Sequence, residues 1–292
     1  MSLSPVRLRD GWLQPNRLSG GRIGGGELWT PAAIAPALWL DADDADTITL
    51  NGSNVAQWDD KSGNGNHVSN GAASTQPAYL PTGWNGKPTV FFTKAVEEFL
   101  FKAGVSNFAA NNDFTLASAF EFFQTNNSWD MVAGWRSDPN FQTAPNGGAP
   151  ILQFMNTANT EIGIHNTDVA AISIKVDVTS RLGKKIATVG RSGGTDGNGG
   201  AFTVTSTGFS QPTYQTYGTQ TWPSAAATGF QVGGKQQLGT AYGDKYISEV
   251  VGCNTKLSTD DRQKLEGYLA WKWGLVADLP VGHPYKSTPP TV

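Results

Sequence analysis

From Trp29 onward, short apolar runs are separated by clusters of Gly, Asn, Pro and Ser. FTLASAFEF (114–122) places Phe114, Leu116, Phe120 and Phe122 on one face, and ISIKVDV (172–178) alternates Ile172, Ile174, Val176 and Val178 with Ser173, Lys175 and Asp177. Period two is what a strand with one buried face requires. ALWL (37–40), PTVFF (88–92), FLF (99–101) and MVAGW (131–135) fit strands buried on both faces. Further candidates at 150–155, 160–165, 184–190, 201–205, 229–233 and 244–252 bring the strands to about a dozen, the pattern of an all-β sandwich.

One segment breaks the period. In LSTDDRQKLEGYLAWKWGL, Ser258 can accept early backbone N–H groups and Asp261 follows three residues on, a shortened capping box. Asp260 and Asp261 suit the positive start of a helix. Leu265, Tyr268, Leu269 and either Trp273 or the stem of Lys272 form its apolar stripe, and Gly274 supplies a left-handed stop. The prolines of LPVGHPYKSTPP then forbid regular structure. Trp271 and Trp273 read as packing residues.

Residues 1–28 carry Arg7, Arg9, Trp12, Arg17 and Arg22 with no periodic apolar pattern, and the glycines of SGGRIGGGE favour neither helix nor strand. This is an extended arm, read as a docking segment that orders against a partner. Composition narrows the classes. The 292 residues hold 21 basic and 24 acidic side chains, a net charge of −3 without blocks of one sign, so the basic footprint of nucleic-acid binding is absent. No run approaches the roughly 18 apolar residues of a membrane helix, and the N-terminus has no apolar stretch of a secretory signal. The single cysteine, Cys253, excludes an intrachain disulfide, and within VVGCN it reads as a buried small hydrophobe.

ALWLDADDADTITLNGSNVAQWDDKSGNGNHV, the GKPTVFF strand and ISEVVGCNTKLSTDDRQKLEGYLAWKWGL with LPVGHPY together resemble the concanavalin-A-like, laminin-G-like jelly-roll domains of phage virion proteins and bacterial surface proteins. The resemblance covers roughly residues 29–290. It implies an all-β fold: a two-sheet antiparallel jelly-roll sandwich with one short C-terminal helix, its N- and C-terminal segments adjacent, preceded by the arm 1–28. Lectins, glycan-binding modules, some glycosidases and virion decoration proteins share that fold, so the fold alone does not choose among them.

Any hydrolytic chemistry would lie in the carboxylates and histidines. Retaining glycosidases of this fold carry an E-x-D-x-x-E strand, since nucleophile and acid must face one cleft about 5–5.5 Å apart. None of the seven glutamates (27, 97, 98, 121, 161, 249, 266) has Asp two positions on. His67, His165 and His283 are scattered, and neither H-E-x-x-H nor G-x-S-x-G occurs. The chain therefore reads as a non-enzyme. DADDAD (41–46) reads as a solvated turn or a Ca²⁺ cluster. In WDDKSGNGNHVSNG (58–71), Asp60, Ser62, Asn64 and Gly65 match the first half of a calcium loop, but its twelfth position is Gly71. A structural turn is the main reading, a weak Ca²⁺ site at Asp60, Ser62 and Asn64 the alternative. No other cofactor is indicated.

GFSQPTYQTYGTQTWPSAAATG (208–229) is a long uncharged stretch with Tyr214, Tyr217 and Trp222 among small polar residues, suited to sugar stacking or a protein interface. Taken together, these features lead to the expectation of a structural protein of a phage particle, displayed on its surface in symmetric copies. Residues 1–28 would dock to capsid, neck or tail proteins. The alternative is a carbohydrate-binding adhesin that grips host glycans through Tyr214, Tyr217 and Trp222.

Overall fold

Strand follows strand along most of the chain, and each pairs antiparallel with its neighbours. The computed structural model describes residues 22–23, 26–105, 113–123, 130–136, 150–154, 161–166, 173–177, 182–192, 201–207, 213–217, 229–234 and 243–292. In chain order the strands are β1 (Arg22–Ile23), β2 (Gly26–Glu27), β3 (Leu38–Asp41), β4 (Ile48–Asn51), β5 (Asn54–Trp58), β6 (Val68–Ser69) and β7 (Ala78–Trp84). They continue with β8 (Lys87–Phe92), β9 (Leu100–Ala103), β10 (Phe114–Phe122), β11 (Met131–Arg136), β12 (Pro150–Phe154), β13 (Glu161–Asn166) and β14 (Ser173–Asp177). The last are β15 (Gly183–Ser192), β16 (Ala201–Thr207), β17 (Thr213–Tyr217), β18 (Gly229–Val232) and β19 (Lys245–Cys253), followed by helix α1 (Thr259–Trp273).

Half of the ladder runs β17-β16-β15-β10-β19. On its far side β19 is paired by β8 at Lys245–Ile247 and by β3 at Glu249–Gly252. The other half runs β14-β13-β12-β11-β18-β9. The short strands β7, β5 and β6 carry the hydrogen bonding from β8 round to β9. Where two separate sheets were expected, the ladder is thus one continuous curled antiparallel sheet, because these short strands span the gap between its halves.

The curl encloses a core. From the first half come Leu38, Leu40, Val90, Phe92, Phe114, Leu116, Phe120, Phe122, Val189, Ile247 and Val250; facing them stand Leu100, Val132, Trp135, Leu152, Ile162, Phe230 and Val232. The predicted face of β10 is the one that enters, and burying each such side chain stabilises the fold by about 1.5–3 kcal/mol. Trp135 packs against Phe114 and Phe230, with ring centroids 4.8 and 5.5 Å apart.

The outer face of the first half carries a second core. Ala117, Ala119, Ile186, Val251 and Cys253 pack under Leu265, Tyr268, Leu269, Ala270 and Trp273 of α1. Small residues in β10 let the helix approach closely. Burial, helped by the charge of Asp261, pushes the Cys253 thiol up to about 12, so it is inert. The helix starts as its sequence dictates, with Ser258 Oγ accepting from the Asp261 amide at 3.1 Å. The segments at 28–29 and 290–291 meet beside it: Leu28 bridges Thr291 and the Trp29 amide donates to the Pro290 carbonyl at 3.0 Å.

A register shift in β19 decides which of its side chains share a face. Ala119 pairs with Glu249 and Phe120 with Ile247, which leaves Ser248 as a bulge. Its hydroxyl shares a hydrogen bond with Thr89 Oγ1 at 2.9 Å. Without the extra residue, Glu249 and Tyr246, three apart, would face opposite sides of the sheet. With it, both stand on the face that carries α1.

The helix stop gives a direct test. Gly274 holds φ +76°, and a Cβ there would lie 2.7 Å from Asn85 Nδ2. Gly274→Ala is expected to lower stability by about 1–2 kcal/mol from the left-handed backbone alone, read as a lowered urea midpoint with an unchanged slope.

Candidate functional site

Two clusters of side chains stand out on the helix-bearing face, one sealed and one open. The sealed one begins at Lys272, the polar member of the helix stripe. Its ammonium donates to Asp41 Oδ1 at 2.5 Å and to Tyr268 Oη at 3.1 Å, and lies 3.0 Å from Glu249 Oε2. Glu249 also accepts from Trp39 Nε1 and Trp273 Nε1, both at 2.7 Å, and from Tyr268 Oη at 3.0 Å. Lys61 reaches Asp41 Oδ2 at 2.9 Å and Asp44 at 2.7 Å, while Lys87 pairs with Asp43 at 3.2 Å. The DADDAD acids are therefore neither a solvated turn throughout nor a cation cluster, since three of them neutralise lysines.

Burial alone would raise the Asp41 carboxyl, but Lys272 and Lys61 outweigh it and hold Asp41 below its usual 3.8. For Glu249 burial prevails, with the charge of Asp41 adding to it against Lys272, and the carboxyl is pushed above its usual 4.5. Burial pulls Lys272 down, yet Asp41 and Glu249 carry it well above 10.5. Two carboxylates sharing one ammonium could suit acid–base chemistry. Glu249 is 0% exposed and Asp41 4%, however, so no sugar reaches either. The cluster acts as a clamp between helix and sheet.

The turn at 60–66 is built the same way. Asp60 Oδ1 accepts from the amides of Trp39 and Ser62, both at 2.9 Å. Its Oδ2 accepts from Ser62 Oγ at 2.7 Å and the Asn66 amide at 2.9 Å. Asn64 Nδ2 donates to the Pro36 carbonyl at 3.1 Å. Asp60, Ser62 and Asn64 thus hold one another and β3, and among the described residues no group of three or more His, Cys, Asp or Glu side chains is arranged for a metal.

The open cluster lies beyond the end of α1. Phe91 of β8, Tyr246 of β19 and Phe123, just past β10, form a triangle of edge-on rings with centroids 4.5, 5.3 and 6.1 Å apart. Phe123 is 41% exposed, and Phe91 and Tyr246 are half-buried. Register sets the row: Phe91 opposes Tyr246, Tyr246 opposes Glu121, and Glu121 opposes Lys184. Lys184 donates to Asn85 Oδ1 and lies 6.0 Å from the Trp84 ring. Rings beside a carboxylate make a surface suited to stacking on a flat apolar face and to accepting from hydroxyls at its rim.

Of the residues singled out in the sequence, Tyr214 and Tyr217 do not lie in one long loop. Thr213–Tyr217 is strand β17, where Tyr214 opposes Thr205 and Tyr217 opposes Phe202 of β16. Trp222, Arg7, Arg9, Trp12 and Arg17 lie outside the described residues, and Arg22 is in β1, paired with Glu27. Sequence reasoning missed Phe91, Phe123, Tyr246 and Glu121 as a group, because only the pairing of β8, β19 and β10 brings them together.

No family model matches the chain, and no curated protein does. Solved structures do. A Trypanosoma rangeli sialidase in complex with sialic acid is similar at a TM-score of 0.53 and 16% identity, over 87% of this chain and 34% of the sialidase. A GH54 α-L-arabinofuranosidase soaked with a cyclic sulfate inhibitor gives 0.54 at 12%, over 81% and 59%. An arabinofuranosidase complexed with arabinofuranosyl-alpha-1,2-xylobiose gives 0.53 at 13%, over 79% and 58%. The chain spans about a third of the sialidase and under two-thirds of the arabinofuranosidases, and likeness at these identities is likeness of fold. These neighbours overturn the expectation of a non-enzyme, since the shared fold occurs in sugar-cleaving proteins. The missing E-x-D-x-x-E strand had excluded only one arrangement of carboxylates.

The clamp yields a signed prediction. Lys272→Met leaves two buried carboxylates without their shared cation and is expected to cost about 3–5 kcal/mol. In the parent, Asp41 stabilises the fold above its usual 3.8, and that contribution is lost as pH falls through its depressed value. In the variant the buried Glu249 favours its neutral form, so stability should rise as pH falls from 7 to 5. Urea unfolding at both pH values checks this; a loss under about 1 kcal/mol with no change of slope would contradict the clamp.

Proposed function

We propose that this chain is a carbohydrate-binding domain of the concanavalin-A-like jelly-roll type, and that it binds glycan across Phe91, Phe123 and Tyr246. The observation that carries this reading is the ring triangle, partly solvent-exposed and bordered in register by Glu121. Clustered, partly exposed rings are a contact surface, and rings held by sheet positions give contact area at little entropic cost. Support also comes from the structural neighbours, a sialidase holding sialic acid and an arabinofuranosidase holding an arabinose-containing xylobiose.

Hydrolysis is the second reading, favoured by the sugar-cleaving neighbours. Assembly into a phage particle through residues 1–28 is a further proposal that rests on the sequence resemblance alone.

A glycan array of the full chain, with Phe123→Ala and Trp222→Ala beside it, tests the main reading. Binding should fall by about tenfold or more in Phe123→Ala, the loss of one stacking contact, and stay within about twofold in Trp222→Ala. The reverse order would move the site to the 208–229 segment, and no binding by the parent protein would remove the reading. Released reducing ends measured on the same glycans decide between binding and turnover.

A further inference from the structure

We infer that the ring platform takes an uncharged sugar unit whose hydroxyls are held by Glu121, and that it discriminates against acidic sugars. This rests on the carbohydrate-binding reading and names its ligand class.

The argument starts from position. Glu121 and Phe123 stand two residues apart, hence on one side of the chain, and Glu121 opposes Tyr246 in register. Neighbouring strands are about 4.8 Å apart, so the carboxylate borders the rings at the distance of a ring substituent. Among the described residues Glu121 accepts no hydrogen bond, although it is half-buried. Burial pushes its carboxyl up, with Lys184 and Lys185 pulling the other way. A partly desolvated carboxylate without donors is an acceptor for adjacent hydroxyls, each able to offer one O–H.

The nearby ammonium groups act on Glu121 through their charge but make their hydrogen bonds elsewhere. Lys184 is bonded to Asn85 Oδ1, and the Asn85 amide donates to the Trp273 carbonyl at 2.8 Å, which moors both at the helix end. Lys185 is buried and donates to the Leu182 carbonyl at 2.5 Å. On the other flank of Phe123, Asp244 accepts the Phe123 amide at 3.1 Å through its carbonyl and the Lys94 amide at 2.8 Å through Oδ1. Carboxylates thus stand on two sides of the rings, Glu121 and Asp244, with the ammonium groups of Lys184 and Lys185 bonded to other acceptors. A sugar carboxylate would meet like charge there, whereas hydroxyls would meet acceptors.

Titration of the full chain with neutral oligosaccharides built on glucose, galactose, xylose or arabinose, and with sialylated and uronic-acid oligosaccharides, tests this. The parent protein should prefer the neutral set. Glu121→Gln, nearly isosteric and half-exposed, should keep its unfolding midpoint and lose about 10- to 100-fold in affinity, the range a hydrogen bond to a charged acceptor supplies. Glu121→Lys should shift preference toward the acidic set. Acidic glycans bound by the parent and lost in Phe123→Ala would overturn this inference and leave the binding reading standing. Unchanged affinity in Glu121→Gln would overturn it as well. No binding to either set would overturn both readings, as would a dimer dissociated by Phe123→Ala, which would make the rings a self-contact.

Discussion

The ammonium of Lys272 is the point on which the helix-bearing face depends. It joins Asp41, at the end of β3, to Glu249 in the middle of β19, and it does so from the fourth turn of α1. Taking these groups out of water is expensive, several kcal/mol per ion even after relaxation. The Trp39, Trp273 and Tyr268 donors that surround Glu249 offset part of that cost. A purely apolar interface could hold α1 as firmly, but it could slide; the charged bonds fix one register of helix on sheet. Trp84 reinforces it, donating Nε1 to the Trp273 carbonyl at 3.0 Å where α1 ends.

The bulge at Ser248 links this clamp to the open platform. One extra residue lets β19 present both Glu249 and Tyr246 to the same side, with Glu249 under α1 and Tyr246 beyond its end. The helix is 15 residues long and stops at Gly274, so the row of Phe91, Tyr246 and Glu121 stays only half-buried, with Tyr246 at the border of the helix–sheet core. Clamp and platform therefore share one strand, and a change of register in β19 would displace both. Ser118 Oγ, bonded to the Glu249 carbonyl at 2.9 Å, and the Ser248–Thr89 pair hold that register from either neighbour.

How much of this was legible depended on whether the signal was local. The helix announced itself through Ser258, Asp261 and Gly274, all of which act within a few residues of themselves. β10 was readable because its alternation lies in one segment, and its inner face entered the core as expected. β17 was hidden, since Thr and Gln beside two tyrosines look like a loop until β16 supplies the pairing. Glu249 carries no local signal beyond its failure to match a glycosidase motif, and its role as a buried acceptor depends on Trp39 and Lys272, which sequence distance separates from it. The ring platform had no local signal at all: Phe91, Phe123 and Tyr246 belong to three strand regions that meet only through the ladder.

The turn at 60–66 shows why the spacing of a motif does not by itself define a site. An Asp-x-Ser-x-Asn-Gly run places oxygens at alternate positions whether it wraps a cation or its own backbone, and the count of competing donors decides between them. Here the amides of Trp39, Ser62 and Asn66 and the Ser62 hydroxyl reach Asp60 first, while Asn64 turns its amide nitrogen toward the Pro36 carbonyl. Those bonds tie the turn to β3, whose far end holds Asp41 against Lys272. The same strand is thus fixed at Trp39 by the Asp60 carboxylate and at Asp41 by the Lys272 ammonium. This double anchorage gives β19, and the platform it carries, a rigid neighbour.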